Sequence, residues 1–283
     1  MDDRIHFIAG LPRSGSTLLS AILRQNPRLH AGITSPVAGL FQKLLVGMGA
    51  SSDYYDLIDE SHRRSILRSL FDGYYYDQPT KIVFDTNRYW CSRMSALVQL
   101  FPTAKVVCCV RDPVWILDSF ERLVQRNAFS VSKLFDKQNS NTVHLRVEAL
   151  ASGTGAVGFA YNALQEAFYG EHADRLILLD YEAFTKNPEH SLNVLYSELK
   201  LPRFVHDFEN VRYADGGEFD DRLGVPGLHY VTGPVKYTER RTILPPDLVQ
   251  KFSNRRFWLG HEQEFVTVIR PMSTTIGKVK AVS

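Results

Sequence analysis

Ile5-His6-Phe7-Ile8-Ala9-Gly10-Leu11-Pro12-Arg13-Ser14-Gly15-Ser16-Thr17-Leu18 decides the fold of this chain. A short apolar run bounded by Gly10, then helix formers from Ser16 to Gln25 ahead of Asn26-Pro27, reads as strand, tight turn and helix. At such a junction backbone N–H groups and the positive end of the helix dipole converge on one point, which makes an anion site. The spacing mimics a nucleotide-triphosphate loop. That loop carries Lys after its second glycine, whereas Ser16 stands there in this chain and the cation is Arg13, two residues before Gly15. A Mg-dependent P-loop kinase or NTPase is therefore the rival reading rather than the leading one.

Working outward, Lys105 to Val110 reads as the most apolar strand, β-branched or Cys-rich on both faces as the middle of a parallel sheet requires. Arg111 sits at its carboxyl end. Asp112-Pro113 then supplies an N-cap and a proline at the first helical position, with Ile116, Leu117, Phe120, Leu123 and Val124 forming the apolar stripe. Ser119 falls about two turns into that helix. Lys81 to Phe84 and Arg175 to Leu179 read as further strands; Met94, Leu97, Val98 and Phe101, and later Leu192, Leu195, Tyr196 and Leu199, are helix stripes. Strands alternating with helices specify an α/β fold: a P-loop-like parallel sheet flanked by helices, in one domain with helical insertions. In such a sheet both junctions open onto the carboxyl edge, so Arg13 and Arg111 are expected to face one crevice.

The chain has 283 residues, enough for a full core in a single domain over 1–283. Its 44% hydrophobic and 23% charged residues lie within the globular range. The formal net charge of +2 gives no global field for nucleic acid or an anionic membrane, so any anion site must be local. No apolar run reaches the roughly 20 residues that cross a bilayer. Three cysteines, Cys108 and Cys109 adjacent, form no disulfide framework, and the chain reads as cytoplasmic. Two stretches break the strand–helix rhythm: a tyrosine-rich one at about 53–78 and a Ser/Asn- and Gly-rich one at about 127–158, candidates for helical insertions or a lid. A third, about 216–246, has a glycine or proline every few residues and is too long for a mere connection.

The motifs resemble those of the sulfotransferases that use 3′-phosphoadenosine 5′-phosphosulfate. Pro12-Arg13-Ser14-Gly15-Ser16-Thr17-Leu18 is similar to the family's loop for the 5′-phosphosulfate, and Arg111 with Ser119 to its 3′-phosphate pair. Leu100-Phe101-Pro102, Asp180-Tyr181-Glu182 followed by Asn187-Pro188, and Ile243-Leu244-Pro245-Pro246-Asp247 resemble the tyrosylprotein sulfotransferases and their bacterial relatives. The likeness runs from about Phe7 to Phe252. It implies Tyr181 against the adenine, Lys236 in a loop at about 216–246 that covers the nucleotide, and release of 3′,5′-ADP without a metal. Arg222, Arg240 and Arg241 are alternatives to Lys236. The residue types agree independently, because a donor charged at two ends needs two anion pockets and arginine forks hold phosphate bidentately.

The catalytic base is where the chain departs from the family. Peptide-sulfating members carry a glutamate shortly after the first helix, where Ala31 to Pro36 holds no carboxylate, and a lysine after the second strand, where the only basic residue is Arg88. Asp85 at a strand end, His30 and His229 remain as candidates, each with a plainer reading as an N-cap, an ion-pair partner or a surface ring. Tyr54, Tyr55, Tyr74, Tyr75 and Tyr76, with Tyr89 and Trp90, either line an acceptor pocket or pack the insertions. The expected acceptor is a hydroxyl or amine on a small molecule or peptide. A nucleotide-binding protein without catalysis is the remaining rival.

Overall fold

The computed structural model describes residues 4–129, 132–135, 140–213, 217–260 and 265–271. Its main sheet uses β1 (Ile5–Gly10), β2 (Leu29–Ala31), β3 (Ile82–Thr86), β4 (Val106–Val110) and β5 (Leu176–Asp180). After a separate antiparallel ribbon of β6 (Val211–Tyr213) and β7 (Val231–Gly233), β8 (Thr267–Ile269) completes it. The strand order is β2-β3-β1-β4-β5-β8 and every neighbouring pair is parallel. β1 and β4, both buried along their whole length, lie at its centre, as the two-sided hydrophobicity of β4 predicts.

Alternation along the strands feeds two cores. Phe7, Val83, Val106 and Cys108 face one, and Ile8, Phe84, Val107 and Cys109 face the other. The first core is covered by α2 (Val37–Gly47), α3 (Glu60–Tyr74), α4 (Met94–Leu100), α5 (Pro113–Arg126), α6 (Val143–Ala151) and α7 (Gly158–Tyr169). The second is covered by α1 (Ser16–Leu23), α8 (Tyr181–Lys186) and α9 (Pro188–Glu198), with the β6–β7 ribbon against α1. Phe7, Phe71, Trp90 and Phe101 meet edge-on or tilted in the first core, so truncating a ring such as Phe71 costs about 3–5 kcal/mol.

The tyrosine-rich stretch is largely helical: α3 buries Leu67 and Phe71 and packs on α2. Of the second insertion, residues 130–131 and 136–139 lie outside the described residues; α6 belongs to it and is pinned to α5 by the Arg146–Glu121 ion pair at 2.6 Å. The late stretch, described from residue 217 and not at 216, is not all loop: it contains α10 (Gly217–Arg222) and β7, and leads into α11 (Pro246–Phe252) and α12 (Phe257–Gly260). Among the described residues no helix is long and apolar enough to cross a membrane. All three thiols are free and buried.

Candidate functional site

The turn between β1 and α1 requires its glycines. Gly10 has φ of 91°, and a Cβ there would lie 2.4 Å from the Cys109 carbonyl on β4. Gly15, with φ of 98°, is the N-cap of α1, and a Cβ would come within 3.2 Å of the Tyr181 ring. No side chain caps α1, so its first N–H groups are open to the space beyond the strand ends. Arg13 adopts a left-handed φ of 58°, which costs a residue with a Cβ about 1–2 kcal/mol.

Arg13 then bridges the site. Its Nε donates to Ser119 Oγ at 3.1 Å and its guanidinium to the Leu228 carbonyl. Arg111 donates to the Arg13 carbonyl at 3.3 Å and lies 4.1 Å over the Tyr181 ring. The two strand–helix junctions therefore meet in one contiguous group.

A cleft of about 710 Å³ opens here, bounded by the loop Pro12, Arg13 and Gly15–Leu18, by Thr86–Arg88 at the end of β3, and by Leu228–Lys236 of the late segment. Ser14 is buried behind it, its hydroxyl turned to the Pro12 carbonyl. Arg13, Arg88, Arg111, Lys236 and Arg240 line the cleft, and no Asp or Glu does among the described residues. Burial, then the neighbouring Arg111, pulls the Arg13 guanidinium down to about 10. Burial lowers Arg111 as well, with Tyr181 opposing and Arg240 adding to the shift. Cations gathered this closely along a cleft wall that holds no carboxylate among the described residues favour a polyanion in the space between them.

His229 lines the same cleft, with its Nδ1 2.5 Å from Asp220 Oδ1; its backbone N–H donates to Asp220 Oδ2 at 2.7 Å. A carboxylate only accepts, so Nδ1 carries the proton and Nε2 keeps the lone pair. Burial holds His229 below the ordinary histidine value; Asp220 opposes the shift, and Arg13 and Arg88 reinforce it. The neutral ring is thus a base available at neutral pH.

Other candidates lie elsewhere. Asp85 is fully buried under the β3 end and is absent from the cleft wall. It accepts from Ser35 Oγ and Tyr75 Oη, both at 2.6 Å, and from Trp90 Nε1 at 2.7 Å. Burial raises its pKa, but its oxygens are committed to tying three elements together, which corrects its reading as a base. His30 is on β2, ring against ring with Tyr75 at 5.5 Å, and is likewise off the cleft. None of the insertion tyrosines lines it, nor do Tyr89 and Trp90; its apolar wall is Phe120, Leu134, Phe219, Leu223 and Leu228. Asp220 escaped the sequence reading because α10 is too short for a periodic signal. Among the described residues no group of three or more His, Cys, Asp or Glu is placed to hold a metal.

The model of the sulfotransferase family matches residues 6–206, which contain the loop, Arg111, Ser119 and Tyr181. Comparison with curated proteins gave no match. Among solved structures, the sulfotransferase domain from the curacin biosynthetic pathway aligns at 16% identity with a TM-score of 0.52, covering 90% of this chain and 92% of that one. A sulfotransferase from Alicyclobacillus acidocaldarius aligns at 16% identity and a TM-score of 0.48, covering 76% and 88%. Likeness at this identity speaks to the fold, and these comparisons do not bear out the closer likeness to tyrosylprotein members that the motifs suggest. The family match over most of the chain and the parallel sheet agree: this protein belongs to the sulfotransferase family.

Proposed function

We propose that the protein moves a sulfuryl group from 3′-phosphoadenosine 5′-phosphosulfate to a hydroxyl, or an amine, of a small-molecule or peptide acceptor, without a metal and in a cytoplasmic setting. The observation that carries this is the cleft at the carboxyl edge of the sheet, with five cations, no carboxylate and an uncapped helix start. Backbone N–H groups of Arg13–Thr17, with Pro12 shaping the turn and Ser14 contributing through its backbone, the Ser16 and Thr17 hydroxyls, and Arg13 hold the 5′-phosphosulfate. Arg111 and Ser119 hold the 3′-phosphate, which requires Ser119 to exchange its bond from Arg13 for one to the donor. Tyr181 supports Arg111 and borders the adenine, and Lys236 closes over the nucleotide.

In the transfer, His229 Nε2 takes the acceptor proton as the acceptor oxygen bonds to sulfur. The bond from sulfur to the 5′-phosphate oxygen breaks in line, and the charge that gathers on that phosphate meets Arg13 and the loop N–H groups. Arg88 steadies the sulfuryl oxygens where relatives use lysine. Asp220 keeps His229 in the tautomer that accepts at Nε2. Phe120, Leu134, Phe219 and Leu223 support an acceptor with an apolar body.

Calorimetry with 3′,5′-ADP, its 2′,5′ isomer and ATP with Mg tests the donor. Selective binding of 3′,5′-ADP, undiminished by EDTA, is the expected result. Preference for ATP with Mg points to a kinase or NTPase, and 3′,5′-ADP binding without transfer to any alcohol points to a non-catalytic binding protein.

A further inference from the structure

The apolar stripe of α5 is interrupted by two buried acids, Asp118 and Glu121. Glu121 is matched by Arg146 of the insertion helix, which accounts for it. Asp118 precedes Ser119, has no exposed side-chain surface and lies outside the cleft wall. Its Oδ2 receives Arg240 at 2.7 Å and Arg122 Nε at 3.0 Å, and its Oδ1 receives the Ile243 N–H at 2.8 Å. Arg122 in turn donates to the Arg241 carbonyl at 2.6 Å. One carboxylate thus fastens Arg240, Arg241 and Ile243 of the late segment, directly or through Arg122, to the helix that carries Ser119.

Arg240 is the member of this cluster that reaches the cleft. It is a third exposed, runs beside Trp115, and lies close enough to Arg111 to lower that residue's pKa. Left alone, two guanidinium groups near one point would separate, because each is better solvated apart. The buried carboxylate prevents that.

We propose that Asp118 is a positioning residue that holds Arg240 beside Arg111, completing a two-arginine clamp on the donor's 3′-phosphate. The proposal rests on the donor assignment above. Asp118 touches no ligand; it fixes the charge of Arg240 in place before the donor arrives, so less ordering remains at binding. In Arg240→Met the Ile243 N–H and Arg122 still tie the segment to Asp118, so there the effect on recognition is separable from the effect on folding.

The test is calorimetry of 3′,5′-ADP and of 5′-AMP, which lacks the 3′-phosphate, on wild type, Asp118→Asn, Arg240→Met and the double variant. Each single variant is expected to weaken 3′,5′-ADP binding on the order of tenfold while 5′-AMP changes less than about twofold. The double variant is expected to lose no more than either single one, because Asp118 acts through Arg240. Multiplying losses in the double variant overturn the proposal, as do equal losses for both nucleotides or unchanged 3′,5′-ADP affinity. Arg240→Met lies at the partly exposed partner and keeps the test decisive should Asp118→Asn fail to fold; its indifference to the 3′-phosphate overturns the proposal by itself. If wild type binds no 3′,5′-ADP, the donor assignment falls and this one with it, whereas wild-type binding with insensitive variants removes this one alone.

Discussion

The loop Gly10–Leu18 and the late segment 217–246 face each other across one cleft and are built by opposite means. The loop is local: two left-handed glycines, a helix start without a side-chain cap and an adjacent strand fix it within nine residues. The late segment has little regular structure and is held by contacts from far along the chain, Asp118 to Arg240 and Ile243, and Arg13 to the Leu228 carbonyl. A surface made from backbone keeps its shape whatever side chains surround it. One held by side-chain ties keeps its shape only while each tie is present.

The sharpest way to break the comparison is Gly10→Ala. A Cβ inside contact distance of the Cys109 carbonyl, at positive φ, is expected to cost about 4 kcal/mol or more and to lower the urea midpoint accordingly. A loss below about 1 kcal/mol would mean the loop is as adjustable as the segment opposite. Next comes His229→Ala on the late segment, expected to lower turnover about 10²–10⁴-fold at saturating donor while the melting temperature stays near wild type. Retained turnover would leave the late segment with a covering role only.

Protonation sharpens this further. Because His229 is held below about 6.5, the base form persists into mildly acidic solution, and the acid limb of the pH–rate profile is expected below that value. Asp220→Asn removes the influence that raises the pKa, so the limb moves to lower pH while the plateau rate falls. An unmoved limb would assign it to another group. For Arg111→Ala the expected result is about 10–100-fold weaker donor binding with a smaller change in turnover, read from the split between KM and kcat. The smallest effect is expected for Lys236→Ala, about threefold in donor KM and weakening with salt, as for a partly solvated charge.

The loop, Arg111 and the strand–helix order were legible because each is signalled within a few residues: glycines at fixed offsets, a β-branched run, Asp-Pro ahead of an apolar stripe. Asp85 misled because a strand-end carboxylate looks the same in sequence whether it faces a cleft or a core. What buries it is Tyr75 and Trp90 arriving from two other elements. The aromatic run at 53–78 could be read as an acceptor wall or as packing of an insertion for the same reason; α3 packs on α2, and the side chains that line the cleft include Phe219, Leu223 and Leu134 instead. β2, β8 and α10 were too short to register as periodic.

By itself, then, the sequence determined the parallel α/β sheet, the glycine turn ahead of α1 and the arginine at the second junction, because backbone geometry and hydrophobic period are properties of neighbouring residues. Tertiary structure decided which ionisable groups stand free in the cleft, that His229 is paired with Asp220, and that Asp118 holds Arg240. Such pairings join residues up to 122 positions apart, and burial, which sets their chemistry, exists only once the whole chain has folded.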